Sequence, residues 1–182
     1  LLAFRRFSGR RAFISILQTL MALPTVVVGL LVYSFLSRSG PLGTLGLLFT
    51  PSAIILGQTV LAYPIVTSLV YGSVYAMEEE LRETLTTLGC TGRQIVWKTL
   101  LEARIAVATA VLSGFGRLIG EVGVSMMLGG NIRWYTRTMT TAIALETQRG
   151  AFSLALALGL LLMIAAFGVN FLLNWTVHRA AT

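Results

Sequence analysis

The side chains that could do chemistry are few. The 182-residue chain has one histidine, His178, one cysteine, Cys90, and seven acidic residues, all of them glutamates. A metal site needs three or four converging His, Cys or carboxylate ligands, and a nucleophilic triad needs a nucleophile, a base and an acid that orients it. This stock is too thin for either, so neither a catalytic nor a metal-ligating set is expected. What remains is charge, with 14 Lys and Arg against the seven glutamates. The opposite charges set inside an apolar stretch are Arg117 and Glu121. Four residues apart on a helix, they share a face and can pair. Ionisable groups at membrane depth are costly and usually face a bundle interior or a water-filled path.

The elements that must position that pair follow from composition. Hydrophobic residues make up 55% of the chain and charged ones 12%, about half the charge of a soluble domain. The mean hydropathy is +0.81. A soluble globular domain, a disordered tail and a disulfide scaffold are all excluded. A helix needs about 20 apolar residues to cross the hydrocarbon core. The charge-free runs predict an all-α polytopic membrane bundle, a single domain over 1–182, with spans at about 13–36, 51–77, 105–128 and 151–176. SGPLG at Ser39–Gly43 is a turn signal, and Thr50-Pro51 reads as N-cap and first residue of a new helix. LLAFRRFSGRRAF reads as the end of one hydrophobic helix and a basic loop, so an earlier span is expected to be missing. A signal peptide is the rival reading, but the following apolar run is longer than its core would be, with no A-x-A cleavage site after it.

Alternating spans put Leu1–Arg11, Glu78–Arg104 and Arg179–Thr182 on one side, with nine basic residues against four (Arg38, Arg133, Arg137 and Arg149) on the other. By the positive-inside rule the nine-residue side is cytoplasmic. The segment 78–104 is then a cytoplasmic loop and 129–150 an external one. Rows of small residues, Ala106, Ala110 and Gly114, then Ala151, Ala155 and Gly159, suit close helix packing within a subunit, or a pore or dimer seam. Pro24 and Pro64 can kink the first two spans. Trp134, Tyr135 and Trp175 fit an interfacial aromatic belt, while Trp134 and Tyr135 could instead touch a partner. His178 reads as an interfacial anchor and Cys90 as a small filler beside a turn.

The cytoplasmic loop reads MEEELRETLTTLGCTGRQIVWKTLLEAR. Glutamates open it and basic residues close it, which suits the helix dipole. Leu81, Leu85 and Leu88 form an apolar stripe at helical spacing, Gly89 and Gly92 break it, and a second helix is predicted from about Arg93. A solvated connecting loop accounts for the charge but not for the stripe. A helix pair that docks a cytoplasmic partner accounts for both.

ETLTTLG, Glu83 to Gly89, with Ile95 and Trp97 behind it, resembles the EAA loop of ATP-binding-cassette importer permeases. Thr84 and Leu85 replace the two alanines, and Glu102 stands near a position where many members have proline. Downstream, GFGRLIGEVGVSMMLGGNIRWYTRTMTTAIALETQRG is similar to the molybdate, sulfate and tungstate branch, with its R-x-x-GE-x-G and M-x-x-GN, and most of all to the tungstate permeases. The resemblance covers about Arg10 to Trp175. It implies a type I importer permease fold and a homodimer in the bacterial or archaeal inner membrane. It also implies two ATP-binding subunits below and an extracytoplasmic binding protein above. Glu83, Leu85, Leu88, Gly89 and Ile95 are then the ATPase-coupling residues. Arg117, Gly120, Glu121 and Gly123 line a gate or pathway. Asn131, Arg133 and Arg137 dock the binding protein.

No GxxxxGK[ST] occurs, so ATP and Mg²⁺ belong to the partner ATPase, and this chain needs no cofactor of its own. A membrane-embedded enzyme would have to work with Arg117 and Glu121 alone, and a plain channel leaves the cytoplasmic helix pair unexplained. No nucleic-acid role is expected. The resemblance favours tungstate over molybdate; physics does not separate two tetrahedral dianions of nearly equal size. With a carboxylate four residues from its one membrane cation, the subunit is expected to hold free oxyanion weakly, leaving selectivity to the binding protein.

Overall fold

The computed structural model describes residues 9–179 and is helical throughout its regular elements. Arg5, Arg6 and the side chains of Glu78, Glu79, Glu80 and His178 lie outside what it describes. In order the helices are α1 (Arg10–Ala22), α2 (Thr25–Leu36), α3 (Pro51–Thr87), α4 (Gly92–Glu102), α5 (Arg104–Ile119), α6 (Gly123–Gly129), α7 (Met139–Gln148) and α8 (Phe152–Arg179). Among the described residues two helical stretches, Pro51–Met77 and Phe152–Trp175, are long and apolar enough to cross a membrane. The count rises to four if α1 with α2 and α5 with α6, each pair bent at a short break, are single spans.

The breaks have local causes. Proline has no N–H to donate and disfavours the helical conformation in the residue before it. Pro24 therefore ends α1 just behind it and serves as the N-cap of α2, its carbonyl accepting from Val27 N (2.9 Å) and Val28 N (3.2 Å). The span predicted over 13–36, with its kink at Pro24, is thus two helices. The predicted 105–128 helix is also two, because α5 stops at Ile119 and α6 restarts at Gly123. Pro64, by contrast, stays inside an unbroken α3. α3 starts where Thr50 caps it, with Ala53 N 3.4 Å from Thr50 Oγ1.

The chain forms two compact units. The first holds Leu1–Met21, Pro64–Phe115 and Phe171–Thr182. Its buried side chains include Leu17, Ile65, Val74, Thr99, Ala103 and Ala110. Arg10 fastens α1 to α3 by donating to Tyr71 Oη at 3.0 Å and lying 5.0 Å over the Tyr75 ring. Gly114 lets α5 approach α3 so closely that a Cβ there would meet Val66 Cγ2 at 2.6 Å.

The second unit holds Ala22–Tyr63 and Gly116–Asn170. Val28, Leu36, Ala53, Leu61, Val124 and Leu128 form its apolar core. α2 lies on α6 at Gly29, where a Cβ would sit 3.3 Å from Val124 Cα. Outside these cores the apolar surface is large. Only 6% of the apolar stretch of α8 is buried within the chain, and Leu156, Ile164, Phe167 and Phe171 are exposed. An apolar surface of that extent is stable against lipid or a partner helix rather than water.

Candidate functional site

The turn between α3 and α4 is built by Gly89. Its φ is +75°, the left-handed conformation that glycine adopts without penalty. Cys90 N donates to Leu85 O at 3.0 Å and Gly89 N to Thr86 O at 3.0 Å, the paired bonds of a Schellman helix end. Gln94 Oε1 then accepts from Thr91 N at 2.8 Å and closes the start of α4. The result is a short rigid corner. Glu83 is exposed, Leu88 is 72% exposed and Trp97 64%, while Leu85 and Ile95 are half-buried. A shallow groove of about 280 Å³ runs along α4 between Thr91, Arg93, Gln94, Trp97 and Lys98.

Two features here differ from the sequence reading. The first helix of the corner is not a separate surface helix, because α3 continues unbroken from Pro51 through Thr87. The side chain the sequence reading undervalues is Trp97. A large exposed aromatic beside a charged groove is a typical docking anchor.

The second set lies at the α5–α6 break. The expected ion pair is absent: among the described residues no salt bridge joins Arg117 and Glu121. The i, i+4 geometry requires a helix through residue 121, and α5 ends at Ile119. Glu121 instead turns into the protein, where it is 7% exposed, and its Oε1 accepts from Val124 N at 3.2 Å, in the first turn of α6. A carboxylate at that position satisfies an otherwise orphaned donor and suits the helix dipole. The Thr140 hydroxyl donates to the Glu121 carbonyl at 3.1 Å, tying the break to α7. Gly123 is crowded, since a Cβ would fall 2.9 Å from Val26 Cγ2 and 3.2 Å from both Glu121 Oε1 and Thr25 Oγ1. Gly120 is exposed, with open space where a Cβ would be. Arg117, in the last turn of α5, is exposed.

The third set is the Gly130–Thr138 loop. Arg137 reaches back to Asn131, its Nε donating to Oδ1 at 3.0 Å and an Nη to the backbone carbonyl at 3.2 Å. Asn131 Nδ2 is 3.4 Å from Thr141 O. The buried Thr136 hydroxyl donates to Gly129 O and accepts from Ile132 N, the latter at 3.0 Å. Two of the three residues expected to dock a partner, Asn131 and Arg137, thus spend their polar atoms holding the loop. Arg133 is exposed, its guanidinium 5.2 Å over the Trp134 ring.

Residues 1–181 match the family model for the inner membrane component of binding-protein-dependent transport systems. The chain belongs to this family. It is an ATP-binding-cassette transporter permease of the anion, tungstate and sulfate type: a membrane component, not itself a catalyst. It is 44% identical to a probable anion ABC transporter permease of Haloferax volcanii over 92% of its length and 74% of that protein's. It is 41% identical to the tungstate uptake system permease TupB of Campylobacter jejuni, covering 93% of this chain and 71% of that one. The sulfate transport permease CysT of Escherichia coli stands further off, at 28% over 96% of this chain and 65% of the relative. In a permease the three sets above separate naturally into a corner, a mid-chain break and a loop, each suited to a different contact.

Proposed function

We propose that the chain is the tungstate-carrying permease of an importer, working as a homodimer with two ATP-binding subunits and an extracytoplasmic binding protein. The observation that carries the substrate is the level of likeness. Two tungstate uptake permeases match at 41% and 38% over at least 90% of the chain, against 28% for the sulfate permease. The α3–α4 corner is the cytoplasmic coupling element. Its exposed Leu88 and Trp97 enter the ATPase surface, Glu83 sets the polar edge, and half-buried Leu85 and Ile95 hold the corner in shape. Arg117, with the Glu121 carboxylate turned away from it, faces the pathway between two copies, where a passing dianion meets an unneutralised guanidinium. Gly120, with open space around it, gives the break beside it room to hinge, and Gly123 lets α6 pack closely beside Val26 and Thr25. The positive-inside bias supports placing the Gly130–Thr138 loop outside.

Uptake of labelled tungstate by cells carrying this transporter as their only route tests the substrate. A tenfold excess of unlabelled sulfate is expected to leave tungstate uptake nearly unchanged. Molybdate is expected to compete less well than tungstate itself. Equal competition by molybdate would make the chain a permease for both anions, and full competition by sulfate would overturn the assignment.

A further inference from the structure

From Leu154 to Val169, α8 carries no polar side chain, and Asn170 ends that run. It lies inside the apolar stretch Phe152–Trp175, long enough to cross a membrane. A primary amide at that depth loses its hydration and must be repaid by a partner. Polar groups so placed mark bundle contacts or the route of a polar solute.

The seat of Asn170 separates these two uses. Phe167 and Phe171, beside it on α8, are exposed, whereas Asn170 is half-buried. Its amide lies over Gly116 of α5, where a Cβ would fall 3.3 Å from Nδ2 and 3.8 Å from Oδ1. A bundle contact would pair the amide with another side chain. Among the described residues no hydrogen bond takes it up, and the backbone of Gly116 is committed to its own helix. Two amide N–H donors are therefore left for something else. The next residue along α5 is Arg117, exposed in the helix's last turn. The carboxylate that could compete for these donors, Glu121, is turned inward onto Val124 N.

We propose that the Asn170 amide is a ligand of the passing oxyanion, a neutral donor that works beside the Arg117 guanidinium. This rests on the reading that the chain is an oxyanion permease with Arg117 on the pathway. A fully deprotonated oxyanion accepts hydrogen bonds and donates none, so a donor-rich, carboxylate-free step suits it. A second cation would hold a dianion tightly, while an amide adds donors without charge and keeps the step weak enough to leave. Gly116 gives the amide its place, since any side chain there would press it off α5.

The test uses the permease–ATPase complex in sealed vesicles with the tungstate-loaded binding protein, and reads tungstate moved per ATP hydrolysed. Asn170→Leu, of similar size but without donors, is expected to lower that ratio by about tenfold or more, the size of one hydrogen bond to a charged group. Asn170→Gln should recover most of it. Asn170→Asp, equal in shape but with acceptors in place of the donors, should be lowest. Gly116→Ala should fall between Asn170→Leu and wild type, and Leu156→Ala, on an exposed face of α8, is the unchanged control. A packing role predicts the opposite order, with aspartate tolerated, glutamine harmful and the melting temperature falling with the ratio; that result would overturn the inference. So would a wild-type ratio in Asn170→Leu, with the permease reading intact. A wild-type ratio in Arg117→Gln would remove the cation from the pathway and the inference with it. Wild-type vesicles that move no tungstate would instead overturn the tungstate permease reading itself.

Discussion

Gly89→Val is expected to leave the protein in the membrane but to abolish oxyanion uptake, with association of the ATPase weakened by about tenfold or more. The reason is conformational rather than steric. A Cβ at Gly89 would meet nothing within 4 Å, so no packing is lost. The φ of +75° is the difficulty. A side chain there costs about 1–2 kcal/mol, and a β-branched one more. The chain escapes the cost by giving up the Schellman bonds from Cys90 and Gly89, and α4 then leaves α3 in a different direction. A graded series separates this from general damage. Gly89→Asn, which tolerates the left-handed region, should couple nearly as well as wild type, Gly89→Ala should fall between, and Gly89→Val should be lowest. Pull-down of the ATPase and uptake by cells read the series. Wild-type uptake by the valine variant would show that the corner has no coupling role.

Glu121 is expected to split two substitutions that a buried ion pair would treat alike. If Glu121 neutralised a buried Arg117, Glu121→Gln would be severely damaging. The observed geometry predicts the reverse. The glutamine amide oxygen can accept from Val124 N as Oε1 does at 3.2 Å, so Glu121→Gln should insert, assemble and transport close to wild type. Glu121→Leu removes the acceptor and leaves a buried N–H in the first turn of α6 unpaired, at about 1–3 kcal/mol. The hinge between α5 and α6 should loosen, with a lower melting temperature of the detergent-solubilised complex and reduced uptake. A melting temperature and uptake in the glutamine variant as low as in the leucine one would restore the ion-pair picture.

Local chemistry explains what could be read ahead of the structure. Thr50-Pro51 marks the start of α3 and Gly89 its end, because caps and left-handed turns are written in one or two residues. The family resemblance rests on short motifs of the same kind. Pro24 announced a kink in the first span, and the structure makes it a full break; the break at Gly120–Val122 escaped because hydropathy is blind to it: an apolar run remains apolar whether it is one helix or two. The false Arg117–Glu121 pair came from applying helical spacing across a glycine that ends the helix. Trp134 was marked by the sequence as a belt or partner aromatic, but its left-handed backbone was out of reach for another reason. The loop that carries it is held by Arg137 on Asn131, by Thr136 on Ile132 N and, at Gly130, by Phe49 from a loop some eighty residues earlier in the chain, and no local window contains that information. The same contacts show Asn131 and Arg137 supporting the loop.

The most direct test of the account is transport in a defined system. The permease and its ATPase are reconstituted into sealed vesicles with the nucleotide-binding side outward, and the tungstate-loaded binding protein is enclosed within. The account predicts that tungstate leaves the lumen only when ATP is added outside, that it fails to do so without the binding protein, and that Gly89→Val silences it. Tungstate movement that proceeds without ATP, or equally well from free anion with no binding protein present, would contradict it.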